Sequence, residues 1–155
     1  MSKPLRFLIA ESEPPENRAK RRGSVGRSSG ETYIETLRRL SPGAVCTRVK
    51  PADADGAAPA RAEIDGFDAV FMTGSPLHLY QETPETRREV AFMRAVFDAG
   101  VPAFGSCAGL QVAVVAAGGT VRPCVREREA GFARRIAPTD AWADPPAAAR
   151  ATRGL

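Results

Sequence analysis

A cysteine-centred motif is the part of the sequence best suited to chemistry. Residues 104–111 read Phe-Gly-Ser-Cys-Ala-Gly-Leu-Gln, a short apolar run that passes through small residues into a second apolar run. This pattern has the form of a nucleophile elbow, in which the reactive side chain occupies a strained strand-to-helix turn and needs small neighbours. Cys107 is therefore the candidate nucleophile, because the positive end of a helix favours the attacking thiolate. The Ala108 N–H is a candidate donor to a developing oxyanion.

Two other places in the sequence fit the same chemistry. Gln111 follows Cys107 by four residues, so on a helix the two side chains share a face and the carboxamide can contact material bound at the sulfur. Gly74-Ser75-Pro76 follows another apolar run, and in a parallel sheet it would reach the edge at which α/β proteins bind ligands. We predict that Gly74 or Ser75 supplies the second oxyanion N–H.

The elements that must position these residues alternate along the chain. Strands are predicted at Leu5–Ala10, Ala44–Val49, Phe67–Met72, Val101–Phe104 and Thr120–Val125, with Cys46 and Cys124 as core residues. Helices are predicted from a Ser28/Glu31 capping box to Leu40, from a Thr83-Pro84 start to Gly100, and over Leu110–Ala117. Residues 11–30, with the basic run 18–22, and residues 50–61 are predicted as loops. The alternation predicts an α/β protein with a doubly wound, mostly parallel, flavodoxin-like sheet.

Composition narrows the class of protein. The 155 residues are 43% hydrophobic and 26% charged, which is typical of one globular domain. No apolar run approaches the roughly 18 residues of a membrane span and no signal peptide is evident, so we expect a cytoplasmic protein without a membrane partner. Three scattered cysteines and one histidine predict no metal site or disulfide framework. The net charge of +4 is dispersed, which predicts no nucleic-acid partner, and the absence of a phosphate-binding glycine motif predicts no nucleotide cofactor.

The Gly-Ser-Cys-Ala-Gly-Leu-Gln segment resembles the G-x-C-x-G-x-Q elbow of class I glutamine amidotransferases, especially the domains related to GMP synthase. Gly74-Ser75-Pro76 resembles the oxyanion loop of that family. Arg128-Glu-Ala-Gly-Phe132 resembles its E-x-G segment, which implies that Glu129 and Gly131 bind substrate together with Gln111. The resemblance implies attack on the side-chain amide of L-glutamine, a γ-glutamyl thioester that water hydrolyses, and ammonia released to an acceptor on a synthetase subunit.

The family base is a histidine in an H-x-E motif beyond the E-x-G segment, and this sequence has no histidine after Thr139. We therefore expect residues 1–139 to form a truncated amidotransferase domain and residues 140–155 to form a disordered tail. One alternative is a non-catalytic domain that binds glutamine or a partner. Another is that His78, the only histidine, acts as the base. A third is a thiol enzyme similar to the DJ-1/PfpI proteins, in which Glu11 would hydrogen-bond Cys107.

Overall fold

The computed structural model describes residues 3–56 and 59–123, which fall within one compact unit, Met1–Pro123. These residues contain four strands and five helices. In chain order they are β1 (Arg6–Ala10), α1 (Pro15–Val25), α2 (Ser29–Leu40), β2 (Val45–Val49), α3 (Arg61–Ile64), β3 (Ala69–Met72), α4 (Pro84–Ala99), β4 (Ala103–Gly105) and α5 (Ala108–Ala116).

The four strands form one parallel sheet in the order β2-β1-β3-β4. This order matches the first four strands of a flavodoxin-like sheet, so the predicted fold class is confirmed. The strand order reverses between β1 and β3, and doubly wound sheets bind ligands outside the carboxyl ends of the strands at such a switch point. The loop containing Gly74 leaves β3 at this edge, and Cys107 follows β4 at the same edge.

The central strand β1 shows why the sheet is covered on both faces. Its alternate residues point to opposite sides, as the two-residue period of a strand requires. Leu8 and Ala10 enter a core formed with β3, α4 and α5. Phe7 and Ile9 enter a second core, against which α2 packs. All four side chains are at least nine-tenths buried, which explains why this segment reads as a continuous apolar run.

Two predicted helix starts are confirmed. In α2 the Ser28 Oγ accepts a hydrogen bond from the Glu31 N–H (3.4 Å), and the Glu31 Oε2 accepts one from the Ser28 N–H (2.8 Å). The Glu31 carboxylate also accepts from the Arg22 guanidinium (2.5 and 3.2 Å), which, with the Ser28 N–H, lowers its pKa from 4.5 to about 2. Helix α4 begins at Pro84 behind a Thr83 cap and ends at Gly100, whose φ of 70° favours glycine.

Residues 15–25 form a helix where the sequence predicts a loop. The basic run within it is not wholly solvated either, because Arg18 is buried and forms a bidentate pair with Asp53 at 2.8 and 2.5 Å. The same guanidinium donates to the carbonyl of Glu13. The loop 50–56 is partly buried rather than lying on the surface, with Ala52 1% exposed and Asp53 buried in its pair with Arg18. The charge-assisted pair thus joins α1 to this loop.

Several features predicted from the sequence lie partly or wholly outside the described residues. Residues 120–123 contain no strand, and the rest of the strand predicted at Thr120–Val125 lies outside the described residues, as do Cys124, Glu129, Gly131 and the predicted tail. Cys46 is half-buried and packs against the core that contains Phe7. Within the part of the chain described, no helix has the length and apolar character needed to cross a membrane.

Candidate active site

The turn that joins β4 to α5 holds Cys107 in a conformation that side chains rarely adopt. Its φ is 53° and its ψ is −112°, and among the described residues it is the one non-glycine position with a positive φ. Such strain persists where the surrounding structure imposes it, and it clusters at functional sites. Cys107 stands directly before the first residue of α5, and it is exposed. The turn therefore presents the thiol to solvent at the carboxyl edge of the sheet.

Close backbone packing explains the glycines on either side of Cys107. A β-carbon on Gly105 would lie 2.5 Å from the carbonyl group of Gly109. A β-carbon on Gly109 would lie 2.6 Å from the carbonyl oxygen of Met72, the last residue of β3. Both distances are far below van der Waals contact, and the atoms encountered are backbone atoms that cannot rotate away. The small residues at these positions thus allow the turn, the helix and the neighbouring strand to approach each other.

The loop after β3 lies against the same cysteine. A β-carbon on Gly74 would be 3.3 Å from the Cys107 Cβ and 4.0 Å from its Sγ. Within residues 3–56 and 59–123, no hydrogen bond is made by the N–H groups of Gly74 and Ser75. The Ala108 N–H, at the first position of α5, has no intrahelical acceptor. The structure thus brings the Gly74 loop to Cys107 and leaves three backbone donors at this edge without a described acceptor.

Gln111 lies one turn into α5 and is half-buried. Its N–H donates to the carbonyl oxygen of Cys107 at 3.2 Å, which closes the first turn of the helix. Cys107 is the cap residue of this helix, so a contact between the Gln111 carboxamide and material bound at the sulfur stays a prediction.

Neither of the two other candidate partners is joined to the thiol. His78 is exposed, and its ring stacks on Tyr80 with the ring centroids 5.1 Å apart. Glu11 is fully buried, and its Oε1 accepts from the Gly30 N–H at 2.8 Å. Its Oε2 has no hydrogen-bond partner among the described residues and lies 3.7 Å from the Arg48 guanidinium. The Glu11–Cys107 hydrogen bond expected of a DJ-1/PfpI-like site is thus not formed, because the carboxylate is bound at the start of α2.

Sequence reasoning missed a group of buried polar residues behind the loops of the switch point. Ser12, Ser29, Thr73 and Glu89 are all nine-tenths buried or more. A signal for Glu89 was present, since it lies four residues before Met93 and seven before Val96 on the buried face of α4. For Thr73 and Ser29 there was no comparable signal, because polar residues after a strand or at a helix start are usually exposed.

The strained cysteine turn on a parallel α/β sheet defines a class of proteins that use a thiol at a strand–turn–helix junction. The family model "Glutamine amidotransferase class-I" matches residues 27–149. The chain therefore belongs to the class I glutamine amidotransferases.

Two known proteins are similar to this chain. The chain is 32% identical over 119 residues to the gamma-glutamyl-L-1-hydroxyisopropylamide hydrolase of a Pseudomonas species, covering 77% of this chain and 40% of that protein. It also resembles the glutaminase domain of Trypanosoma brucei CTPS with bound acivicin, at 18% identity and a TM-score of 0.46, covering 72% of this chain and 39% of that one. The chain thus spans about two fifths of the length of these relatives.

Proposed function

We propose that the chain cleaves the side-chain amide of glutamine through a γ-glutamyl thioester on Cys107. The observation that carries this proposal is the exposed, strained Cys107 with the Gly74 loop beside it, in a chain of the class I amidotransferase family. Family membership supplies the reaction class, and the site supplies a nucleophile with backbone donors close to it. Acceptor transfer to a synthetase partner and a GMP synthase-like specificity remain further predictions from the motif.

The proposed reaction begins with attack of the Cys107 thiolate on the amide carbon. A carbon–sulfur bond forms, and the carbonyl electron pair moves onto oxygen, where the N–H groups of Ala108 and of Gly74 or Ser75 stabilise the charge. The electron pair then returns and the carbon–nitrogen bond breaks. The nitrogen takes up the proton that the thiol released to solvent on ionising, and leaves as ammonia. Water hydrolyses the thioester to glutamate and regenerates the thiol. Gln111 orients the substrate from α5, and Glu129 and Gly131 are proposed as further substrate contacts.

The Pseudomonas relative favours a second substrate within the same chemistry. Its name describes hydrolysis of a γ-glutamyl amide whose nitrogen carries a hydroxyisopropyl group. The acyl half of such a compound is the same as that of glutamine, and only the leaving amine differs. A γ-glutamyl alkylamide would therefore form the same thioester on Cys107 and release an alkylamine in place of ammonia.

A different candidate function is binding of glutamine or a partner without turnover. It is favoured by the position of His78, the single histidine of the sequence, which stacks on Tyr80 and makes no hydrogen bond to Cys107 among the described contacts. General-base assistance is typically worth about 10²- to 10⁴-fold in rate. A chain without it would bind γ-glutamyl compounds and acylate slowly.

The deciding experiment uses the full chain with L-glutamine and with γ-glutamyl isopropylamide. Ammonia or amine release is measured, and intact-mass and peptide mass spectrometry locate any γ-glutamyl group. Cys107→Ala is the test variant, and Cys46→Ala is the matched control because Cys46 is the other free cysteine described. We expect a γ-glutamyl group on Cys107 in the wild type and in Cys46→Ala. Binding by calorimetry without release or adduct would instead support the non-catalytic function.

A further inference from the structure

The hydroxyl of Thr73 occupies a junction behind the oxyanion loop. Thr73 follows β3, is fully buried, and immediately precedes Gly74. Its Oγ1 accepts hydrogen bonds from the Ser12 N–H and from the Ser29 hydroxyl, both at 3.1 Å. It donates to the carbonyl oxygen of Gly74 at 3.2 Å. One hydroxyl thus connects the loop after β1, the start of α2 and the loop that lies against Cys107.

The groups that hold Thr73 are themselves anchored. The Ser29 N–H donates to the Glu13 Oε2 at 3.0 Å, and the next N–H of α2, that of Gly30, donates to the Glu11 Oε1 at 2.8 Å. Carboxylates at the N-terminus of a helix are favoured by its unpaired N–H groups and its dipole. All of these bonds are buried, so water does not compete for them. The Ser29 hydroxyl therefore approaches Thr73 from a fixed position.

The bond from Thr73 to Gly74 restricts the peptide that follows. The described residues contain no cis peptide bond, and in a planar trans peptide the C=O and the following N–H point in opposite directions. Because the Gly74 carbonyl oxygen accepts from the Thr73 hydroxyl, the Ser75 N–H must point away from that hydroxyl. Gly74 meanwhile lies against Cys107. The direction of one candidate oxyanion donor is thus set by a side chain that does not touch the thiol.

We infer that Thr73 is a positioning residue, which orients the Ser75 N–H toward the oxyanion formed on the Cys107 adduct, with Ser29 as its support. This inference rests on the proposed function and adds to it a residue next to the Gly74-Ser75-Pro76 loop. It selects Ser75 over Gly74 as the donor from this loop. Removing the Thr73 hydroxyl frees the peptide between residues 74 and 75 to rotate, so the donor is misdirected while the thiol and the binding surface stay in place.

The expected effect is on acylation rather than on binding. Loss of one oxyanion donor lowers kcat by about 10²- to 10³-fold in a well-studied protease. Thr73→Val keeps the volume of the side chain but removes the hydroxyl, and a misdirected donor retains part of its effect, so we expect acylation about 10- to 100-fold slower. The KM should change by less than about threefold, because the donor acts mainly in the transition state.

The test measures two reactions of the same thiol in the full chain. Acylation is followed as the rate of nitroaniline release from γ-glutamyl p-nitroanilide, whose weakly basic amine leaves as the thioester forms. Alkylation by iodoacetamide is followed separately, since it attacks a methylene carbon and creates no oxyanion. The ratio of the two rates reports the oxyanion site and cancels changes in thiol exposure. The variants are Thr73→Val, Thr73→Ser, Ser29→Ala and, as a control, Thr86→Val.

We expect the ratio to fall about 10- to 100-fold in Thr73→Val and less, about three- to tenfold, in Ser29→Ala. Thr73→Ser, which keeps the hydroxyl, should restore most of it. Thr86→Val removes an equally buried hydroxyl that donates to the Gln81 carbonyl (2.9 Å), and it should keep the wild-type ratio. This control separates general destabilisation from a specific effect on the oxyanion site.

The outcomes distinguish this inference from the function on which it rests. A wild-type chain with no Cys107-dependent release of nitroaniline overturns both. Wild-type release with an unchanged ratio in Thr73→Val overturns the role of Thr73 alone. Where Thr73→Val does not fold, Ser29→Ala decides, and an unchanged ratio there also overturns the inference. An equal fall in Thr86→Val would show that the effect is structural and not specific to Thr73.

Discussion

Glu89 offers a sharp physical test because it is a carboxyl group inside the hydrophobic core. It lies on α4, is fully buried, and neither of its side-chain oxygens has a hydrogen-bond partner among the described residues. Burial raises its pKa from 4.5 to about 7, and the neighbouring Ser12 side chain offsets this only in part. Depending on pH, the folded protein must therefore hold either a neutral acid or an uncompensated buried charge.

The sign of the pH dependence follows from proton binding. In the unfolded chain Glu89 returns to water and titrates near 4.5, whereas in the folded chain it titrates near 7. Between these values the folded state holds more protons, so the free energy of unfolding falls as pH rises. The difference corresponds to about 3 kcal/mol in total, of which about 2.5 kcal/mol falls between pH 5 and pH 8. Glu89→Gln removes this contribution because an amide does not titrate.

The assay is urea denaturation of the full chain followed by circular dichroism at pH 5, 6, 7 and 8. We expect the wild type to lose about 2 to 3 kcal/mol more stability than Glu89→Gln over this range. The buried amide of the variant adds an offset that does not depend on pH, so the difference in slope is the quantity that matters. Glu82→Gln, which removes an exposed carboxyl, should follow the wild type. Parallel profiles for the wild type and Glu89→Gln would refute the reasoning.

Further predictions concern two glycines, the Glu31 ion pair and the stacked His78. Gly109→Ala should lower the free energy of unfolding by about 1 to 3 kcal/mol in urea denaturation, because its β-carbon would lie 2.6 Å from a backbone carbonyl oxygen. Gly23→Ala, where nothing lies within 4 Å, should raise it by about 0.5 to 1 kcal/mol, and equal effects would contradict the packing argument. Glu31→Gln should lower the free energy of unfolding at pH 7. The difference between the wild type and the variant should shrink as the pH falls from 4.5 toward 2, because the folded state lowers the pKa of Glu31 to about 2. His78→Ala should change the Cys107-dependent release of ammonia by less than about threefold, because the stacked histidine makes no described bond to the thiol; a large loss would show that the loop moves to supply a base.

The sequence predicted those features of the structure that depend on residues close together in the chain. The capping box at Ser28 and Glu31 and the start of α4 at Thr83 were predictable because a helix start needs side-chain acceptors close in sequence. The cysteine turn was predictable because a strained residue needs small neighbours. The structure gives the reason at Gly105 and Gly109, where a β-carbon would lie less than 3 Å from backbone atoms. The parallel sheet followed from the alternation of apolar runs and helices.

The rest depended on contacts between residues far apart in the chain. Arg18 and Asp53 are 35 positions apart, and their pairing places one buried arginine in a basic segment that the sequence predicts as a loop. Thr73 and Ser29 are 44 positions apart, and Glu11 is bound at the start of α2 rather than at Cys107. The sequence alone thus determined the fold class and the strained turn that carries the candidate nucleophile, because periodicity and backbone sterics are local. Which polar groups lie behind the site was decided only by the tertiary structure, since a buried polar group is stable only when a partner from another segment meets it.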